Sequence, residues 1–422
     1  MERLSNRYFE ALQENSGSLQ IQVNDVNIGR PLANAQVIVK DEAGKVIEEL
    51  ITDESGQTPI INLPAPPQEY SLEAEQTVRP YSIYNLEANF EGYKKAIVNG
   101  TQVMANSLAL QEINTEALTQ NSDSNIVIDI GPSRLWGDYE PKIIEDSVKP
   151  IAPPSGQIVL DQVVIPEYII VHNGVPSDSS APNYYILYKD YIKNVACSEL
   201  YSTWPDATLR ANILAIISFT LNRVFTEWYR NKGYNFTITS STAYDHAFIY
   251  GRNIYKRIAT IVDEMFNTYI TKFGIRQPLL AQYCDGAKVS CPNWMSQWGS
   301  KYLGDQGLNA VNILRRYYGQ DIYLEQAQKV AGVPLSFPGT LLQVGSRGKD
   351  VRTIQNQLLA ISKNYPAIPK LKVDGIYGNK TRNAVQIFQS VFNLPTTGSV
   401  GFSTWYRISE IYVAVEKLAE LV

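Results

Sequence analysis

Residues 191–201 read YIKNVACSELY, and the chain continues through residue 225 as STWPDATLRANILAIISFTLNRVF. From Ala207 onward, Leu209, Ile213, Leu214, Ile217, Leu221, Val224 and Phe225 recur at three- and four-residue intervals, the spacing of a helix. Pro205 and Asp206 supply its start signal. The pattern predicts a long helix at the heart of a domain. Glu199 stands just ahead of it, among Cys197, Ser198, Tyr201 and Trp204. A carboxyl group held among aromatics at a helix entrance is one whose proton affinity can be raised for donation. Spacing alone reads Glu199 as an exposed loop residue, so the rest of the chain has to decide.

A chain of 422 residues is longer than one hydrophobic core sustains, so two or more domains are expected. Its 44% hydrophobic and 19% charged content is that of a folded protein, and a net charge of −5 carries no nucleic-acid footprint. Tyrosine is abundant, with 27 against 12 Phe and 6 Trp, and its apolar face and polar tip suit carbohydrate rings as well as protein interfaces. Three cysteines are too few for a disulfide scaffold. The N-terminus lacks an apolar signal-peptide core, and no run is apolar enough to span a bilayer. These features place synthesis in a cytoplasm-like compartment.

Residues 1–17 read as a polar helix or tail, and residues 18–114 as a β-sandwich. LQIQVND and PLANAQVIVKD alternate in hydrophobicity, and turns are expected at residues 27–30, at Asp41-Glu42-Ala43-Gly44 and at Asp53-Glu54-Ser55-Gly56. Residues 115–166 have linker composition, with candidate strands at Ile126–Ile130 and Ile158–Leu160 bracketed by prolines. A protease cut and a plain interdomain linker are equally open there. Residues 167–323 form the catalytic candidate, with a second helix within residues 253–273 and a final one before residue 321. Residues 339–412 read as three amphipathic helices around the Gly-punctuated loop Val373-Asp374-Gly375-Ile376-Tyr377-Gly378, in which Gly375 and Gly378 are expected at positive φ. The fold class is therefore multidomain α+β: an N-terminal β-sandwich, a mixed α/β centre and a helical C-terminal module.

Four resemblances sharpen this reading. The pattern PLANAQVIV…ITDESGQT…LPAPP…YSLEAE resembles the carboxypeptidase-regulatory or transthyretin-like sandwich, which has no shared catalytic residues. At the other end, Gly345, Gly348, Val351, Gln355, Asp374, Gly375, Gly378, Thr381, Ala384, Val385, Phe388, Gln389, Gly398, Thr404 and Trp405 match the peptidoglycan-binding domain 1 pattern. That implies a wall-binding module, with Asp374, Tyr377, Thr381, Phe388 and Trp405 as candidate binding or fold residues. The middle domain resembles the sporulation stage II protein D family, which cleaves peptidoglycan glycan strands. The helix-entrance block and Trp294-Met-Ser-Gln-Trp-Gly299, followed by GLNAVNILRRYYG, carry that likeness. It places Glu199 on the family's catalytic acid and Ser296, Gln297 and Trp298 in the cleft loop. Two departures stand out: Pro292-Asn293-Trp294 replaces the family's His-Gly, and Ile213-Leu214-Ala215 its Ala-Gln-Ala. The whole order of domains resembles the clostridial spore cortex-lytic enzymes. That implies a proenzyme of the dormant spore, made in the mother cell and lodged in the cortex or coat region. Subtilisin-like germination proteases would cut it within residues 115–166, and its partner would be cortex peptidoglycan.

A lytic transglycosylase needs one carboxyl group that first protonates the glycosidic oxygen and then deprotonates the C6 hydroxyl of muramic acid, giving a 1,6-anhydro end. A muramidase needs two carboxylates, ~5–5.5 Å or ~6.5–9.5 Å apart. Asp206, Glu227 and Asp245 are the candidates for the second; Asp206 reads as a helix cap, and Glu227 as a solvated or ion-paired residue of the helix. Tyr201, Ser241, Tyr244 and Asp245 are expected to support the cleft. No cofactor is called for. His246, Cys284 and Cys291 form a weak zinc candidate, ranked below free thiols or a loop disulfide at C-x6-C spacing. His172 reads as a satisfied strand-end residue, and Asp374 is too isolated for calcium. The rival class is a non-catalytic wall-binding or amidase-enhancing protein, which has no use for an acid at residue 199.

Overall fold

The computed structural model describes residues 15–27, 29–119, 125–149 and 162–419. The expected N-terminal helix or tail falls mostly outside them, as does the candidate strand at Ile158–Leu160. The strands of the first part are β1 (Ser16–Asp25), β2 (Arg30–Pro31), β3 (Gln36–Asp41), β4 (Val46–Ile51), β5 (Ile61–Pro64), β6 (Ser82–Asn89), β7 (Lys95–Val103), β8 (Leu108–Thr115) and β9 (Asn125–Asp129). One sheet has the order β4-β3-β6-β7-β9, and the other is built on β8-β1-β2 with β5 also on β1. Period-two alternation explains both: Leu19, Ile21 and Val23 of β1 point inward with Gln20 and Gln22 between them, and Val37 and Val39 of β3 point inward with the less buried Ile38 between them. The expected turns close as Asx turns, with Asp41 Oδ1 accepting from the amides of Ala43 and Lys45, and Asp53 Oδ1 from those of Ser55 and Gln57.

Residues 130–149 depart from the reading as a linker. They form an arm that lies along the central part of the molecule, bonded to it at every few residues. Ser198 carbonyl accepts from the Arg134 amide, Ala243 carbonyl from Ile143 and Ser147 carbonyl from Leu280, while Gln277 exchanges two hydrogen bonds with Lys149. Prolines kept the arm out of a regular strand without keeping it out of the core.

The central part carries β10 (Val164–Ile165), β11 (Tyr168–His172), β12 (Asn183–Leu187), α1 (Tyr188–Glu199), α2 (Asp206–Phe225), β13 (Ile238–Thr239), β14 (Ile254–Tyr255), α3 (Lys256–Met265), β15 (Thr268–Lys272), β16 (Tyr283–Cys284), β17 (Met295–Ser296), α4 (Gln297–Asp305), α5 (Ala310–Tyr318), β18 (Ile322–Gln326) and β19 (Lys329–Val330). The predicted long helix is α2, buried on almost all sides, and α1, α3, α4 and α5 pack against it. Its buried polar residues find partners within the helix and on its neighbours: Asn212 Nδ2 donates to Ser300 Oγ, Asn222 Nδ2 to the Pro278 carbonyl, and Ser218 Oγ to the Leu214 carbonyl. Asp206 is not the cap. Pro205 holds that place, and Asp206 lies in the first turn paired with Arg210 at 2.6 Å. Glu227 is not on the helix either; it follows the C-cap Thr226 at φ +47° and pairs with Arg230 at 3.6 Å.

The C-terminal helices are α6 (Lys349–Ile361), α7 (Asn379–Val391) and α8 (Phe402–Ala419). Gly375 takes φ +74° as expected, but Gly378 is extended at φ −96°. The three parts share one continuous core. The β14 strand pairs with β8 of the sandwich, Asn253 exchanges two hydrogen bonds with the Gln102 backbone, and Trp204 Nε1 donates to the Ser71 carbonyl. Gln57 Nε2 reaches the Val391 carbonyl at the end of α7, and Lys189 bridges Asp263 and Glu410 of α8. The molecule is a mixed α+β protein with sheets at the N-terminus and helices at the C-terminus.

Candidate active site

Glu199 is the last residue of α1 rather than an exposed loop residue, and it is 1% exposed. One carboxylate oxygen accepts from the Ala247 amide at 2.7 Å, and the other faces Gln297 Nε2 at 3.4 Å and an Arg134 guanidinium nitrogen at 3.9 Å. Arg134 in turn donates to Gln297 Oε1 at 3.0 Å. Gln297 is thus a bridge: its oxygen is bound to the arm's cation and its nitrogen leans toward the acid. The motif loop presents it because Ser296 caps α4, accepting from the Gly299 amide at 2.8 Å and fixing where the helix begins. Gly299 has no room for a Cβ, which would lie 2.3 Å from the Tyr317 hydroxyl.

The arm supplies a second cation. Lys142, 6% exposed, donates to the Asp245 carbonyl and sits 4.6 Å over the Phe219 ring and 5.2 Å over that of Tyr283. Burial pushes its ammonium down to about 7, with Glu199 pulling the other way. His246, fully buried, meets the Tyr191 hydroxyl at Nδ1, 2.9 Å away, and stacks on Tyr283. Burial, then Lys142, holds its imidazole well below the usual histidine range.

Asp245 does not line the cleft. It is 0% exposed, and its oxygens accept from Arg223 Nε, the Tyr229 hydroxyl and both the amide and hydroxyl of Thr239, all within 2.8 Å. Arg223 also forks onto Glu145 of the arm at 2.5 Å and 3.1 Å. The carboxylate is therefore consumed by structure. Ser241 accepts from the amides of Tyr244 and Asp245 in the turn that delivers Asp245. Tyr244 lines a separate cavity of about 500 Å³ with Trp228, Tyr234 and the arm's Glu145 and Lys149. Tyr201 and Trp298 are buried edge-to-face at 6.2 Å, with Trp204 packed against both. Of the expected site residues, Gln297 meets Glu199, and Tyr201 and Trp298 pack on each other. The sequence motifs miss Arg134, Lys142 and Tyr283, although PSRLWGDYEPK does interleave two cations with aromatics.

The zinc candidate fails. Cys284 and Cys291 are joined in a disulfide, leaving no thiolates, and His246 Nδ1 is engaged by Tyr191. Among the described residues no His, Cys, Asp and Glu cluster suited to a metal is found. His172 lies at the end of β11 as expected, bonds Asn183 at 2.8 Å through Nδ1 and stacks on Phe236, but its Nε2 is buried without a hydrogen-bond partner, so it is only half satisfied.

In the C-terminal module, Tyr377, Thr381, Phe388 and Trp405 are all buried. Tyr377 donates to the Gly398 carbonyl, Thr381 accepts from Gln355 and Trp405 donates to the Leu335 carbonyl. They hold the fold and cannot touch a polymer. Asp374 is exposed, but its Oδ1 closes the loop by accepting from the Ile376 amide and Gln355.

Residues 347–408 match the model of a putative peptidoglycan binding domain. Among curated proteins no relative matches. The SleB N-terminal domain is similar to 18% of this chain at 31% identity over 99% of its own length, with a TM-score of 0.16. The Bacillus anthracis TIE protein is similar at 20% identity over 25% of this chain and 18% of its own, with a TM-score of 0.19. A Klebsiella pneumoniae 5-hydroxyisourate hydrolase is similar at 18% identity over 24% of this chain and 94% of its own, with a TM-score of 0.16. The chain thus carries a cell-wall-directed module at its C-terminus. No helix among the described residues is long and apolar enough to cross a membrane.

Proposed function

We propose that this chain is a peptidoglycan lytic transglycosylase made as a proenzyme, a spore cortex-lytic enzyme of the SleC kind. Its central part would be a member of the sporulation stage II protein D family, and its sandwich would be transthyretin-like. The observation that carries the reading is that, of the carboxylates weighed as acids, Glu199 alone meets the motif loop. Glu199 sits on the motif loop's Gln297, while Asp245, the best second candidate, is locked by Arg223, Tyr229 and Thr239. One carboxyl group serves a transglycosylase, whereas a muramidase needs two. In this mechanism Glu199 gives its proton to the oxygen linking muramic acid to N-acetylglucosamine, then takes the proton of the C6 hydroxyl as that oxygen closes on C1. The C-terminal module would hold the enzyme on cortex peptidoglycan.

The arm supports latency. Arg134 and Lys142 lie on and beside Glu199, leaving it almost no exposure. Subtilisin-like proteases would cut within residues 115–166, and a cut in the 150–161 part, which lies outside the described residues, would sever the arm from the enzyme. Location in the dormant spore is part of the same proposal. One observation favours a wall-binding protein instead: both oxygens of Glu199 already face donors, as a purely structural carboxylate's would.

The test is to treat the full chain with subtilisin, incubate it with cortex sacculi and weigh the released fragments. Anhydro ends, one water lighter than reducing ends, are expected. Reducing ends would make it a muramidase, and tight binding without release would make it a binder.

A further inference from the structure

The groups around Glu199 divide across a cut placed within residues 150–161. Arg134 and Lys142 lie before residue 150, whereas the Ala247 amide, Gln297 and Tyr283 lie after residue 161 and stay with the enzyme. Of these, Tyr283 has no role so far. It is the first residue of β16, which pairs in parallel with β17, so Met295 and Ser296, just before Gln297, set its position. Its side chain is almost wholly buried, between the Arg134 guanidinium 5.9 Å over its ring, the Lys142 ammonium and the His246 ring at 5.9 Å. The hydroxyl is buried with no hydrogen-bond partner among the described residues, and the Arg134 guanidinium that lies over this ring is also 3.9 Å from the Glu199 carboxylate, so phenol and acid share one pocket. A buried phenol left over beside that acid calls for an explanation. Burial first, and then the Glu199 charge, push this phenol well above its usual range, so it keeps its proton.

We propose that Tyr283 is a positioning residue for Glu199, donating its hydroxyl hydrogen bond to the carboxylate that exists between the two proton transfers. The proposal rests on the reading of Glu199 as the acid. In the first transfer Glu199 loses its proton to the glycosidic oxygen, and the C1–O bond breaks with its electron pair on that oxygen. The carboxylate then removes the C6 hydroxyl proton while O6 bonds to C1. Water is not consumed, and Tyr283 remains neutral throughout. Its hydrogen bond aims the carboxylate once the arm's cations are gone, working with the Ala247 amide and Gln297. The other ionisable groups facing this spot are His246, Tyr191 and, before the cut, Arg134 and Lys142.

The experiment compares wild type, Tyr283→Phe and Glu199→Gln as full chains treated with subtilisin, measuring kcat, KM and pH profile on soluble cortex glycan. Phenylalanine keeps the ring and removes only the donor. The expected result is a kcat lower by about ten- to a hundred-fold with KM unchanged, the scale of a lost hydrogen bond to a charged group. The alkaline limb should also move upward, because a donor to a carboxylate favours its charged form. Should Tyr283→Phe not fold, site-specific 3,5-difluorotyrosine keeps the shape and strengthens the donor, and the limb should move downward. Wild-type kcat and pH profile in both Tyr283 variants, with Glu199→Gln inactive, would overturn this proposal alone. Full activity in Glu199→Gln would overturn the reading beneath it, and the proposal with it.

Discussion

Burial pushes the Lys142 ammonium down to about 7 from an ordinary 10.5, and that shift makes the arm's docking depend on pH. Below about pH 7 the lysine is protonated whether docked or free, so docking does not change there. Between about 7 and 10.5 the free arm holds a proton that the docked arm lacks, so docking strengthens as pH rises. The stability lost in Lys142→Met should therefore grow from pH 7 to pH 9, by up to about 1.4 kcal/mol per pH unit. Urea unfolding at the two pH values measures it, and a pH-independent difference would contradict it. Asp245 makes the opposite kind of prediction. Asp245→Asn leaves the buried Arg223 without its main partner and should cost about 3–5 kcal/mol, while the folded fraction keeps its turnover. A stable but inactive Asp245→Asn protein would make Asp245 the second acid of a muramidase. Glu199 was legible because two motif blocks converge on it. Arg134 and Lys142 were not, because a side chain reaching from Pro-rich sequence into another part of the chain leaves no local pattern.

Among the elements, α2 was legible from its spacing, and its burial on nearly every side follows from an apolar stripe that widens to include Ala211, Ala215 and Ile216. The helix α1 was not. Residues 188–199 mix Lys189, Lys193 and Asn194 with apolar residues, yet all three polar side chains are buried, the two lysines against Asp263. Asp263 repays this partnership: burial works against its charge, but the lysines hold its carboxyl down to about 2. The loop between Cys284 and Cys291 carries its own prediction. Cys197 is buried and burial pushes its thiol up to about 12, so the native chain should expose no reactive thiol. An aromatic disulfide reagent should count one thiol after denaturation and all 3 cysteines after reduction. Three thiols without reduction would remove the disulfide and reopen the zinc reading.

For the whole molecule, the order of parts was legible from composition and from the C-terminal motif, whereas their union was not. Short contacts such as Trp204 on Ser71 and Gln57 on Val391 join residues more than a hundred positions apart, beyond any spacing rule. Because β8 and β14 share one sheet and the core is continuous, the sandwich and central part should unfold together. Tryptophan fluorescence, dominated by the central part, and far-ultraviolet dichroism should give coincident unfolding curves; separated curves would show independent domains. On the proposed reading Glu199 is the acid and residues 130–149 act as a strap over it. The most direct measurement is release of soluble glycan from cortex sacculi by four samples, wild type and Glu199→Gln, each before and after subtilisin. Release by cut wild type alone is the predicted result. Equal release by cut Glu199→Gln, or by uncut wild type, would contradict the acid or the strap respectively.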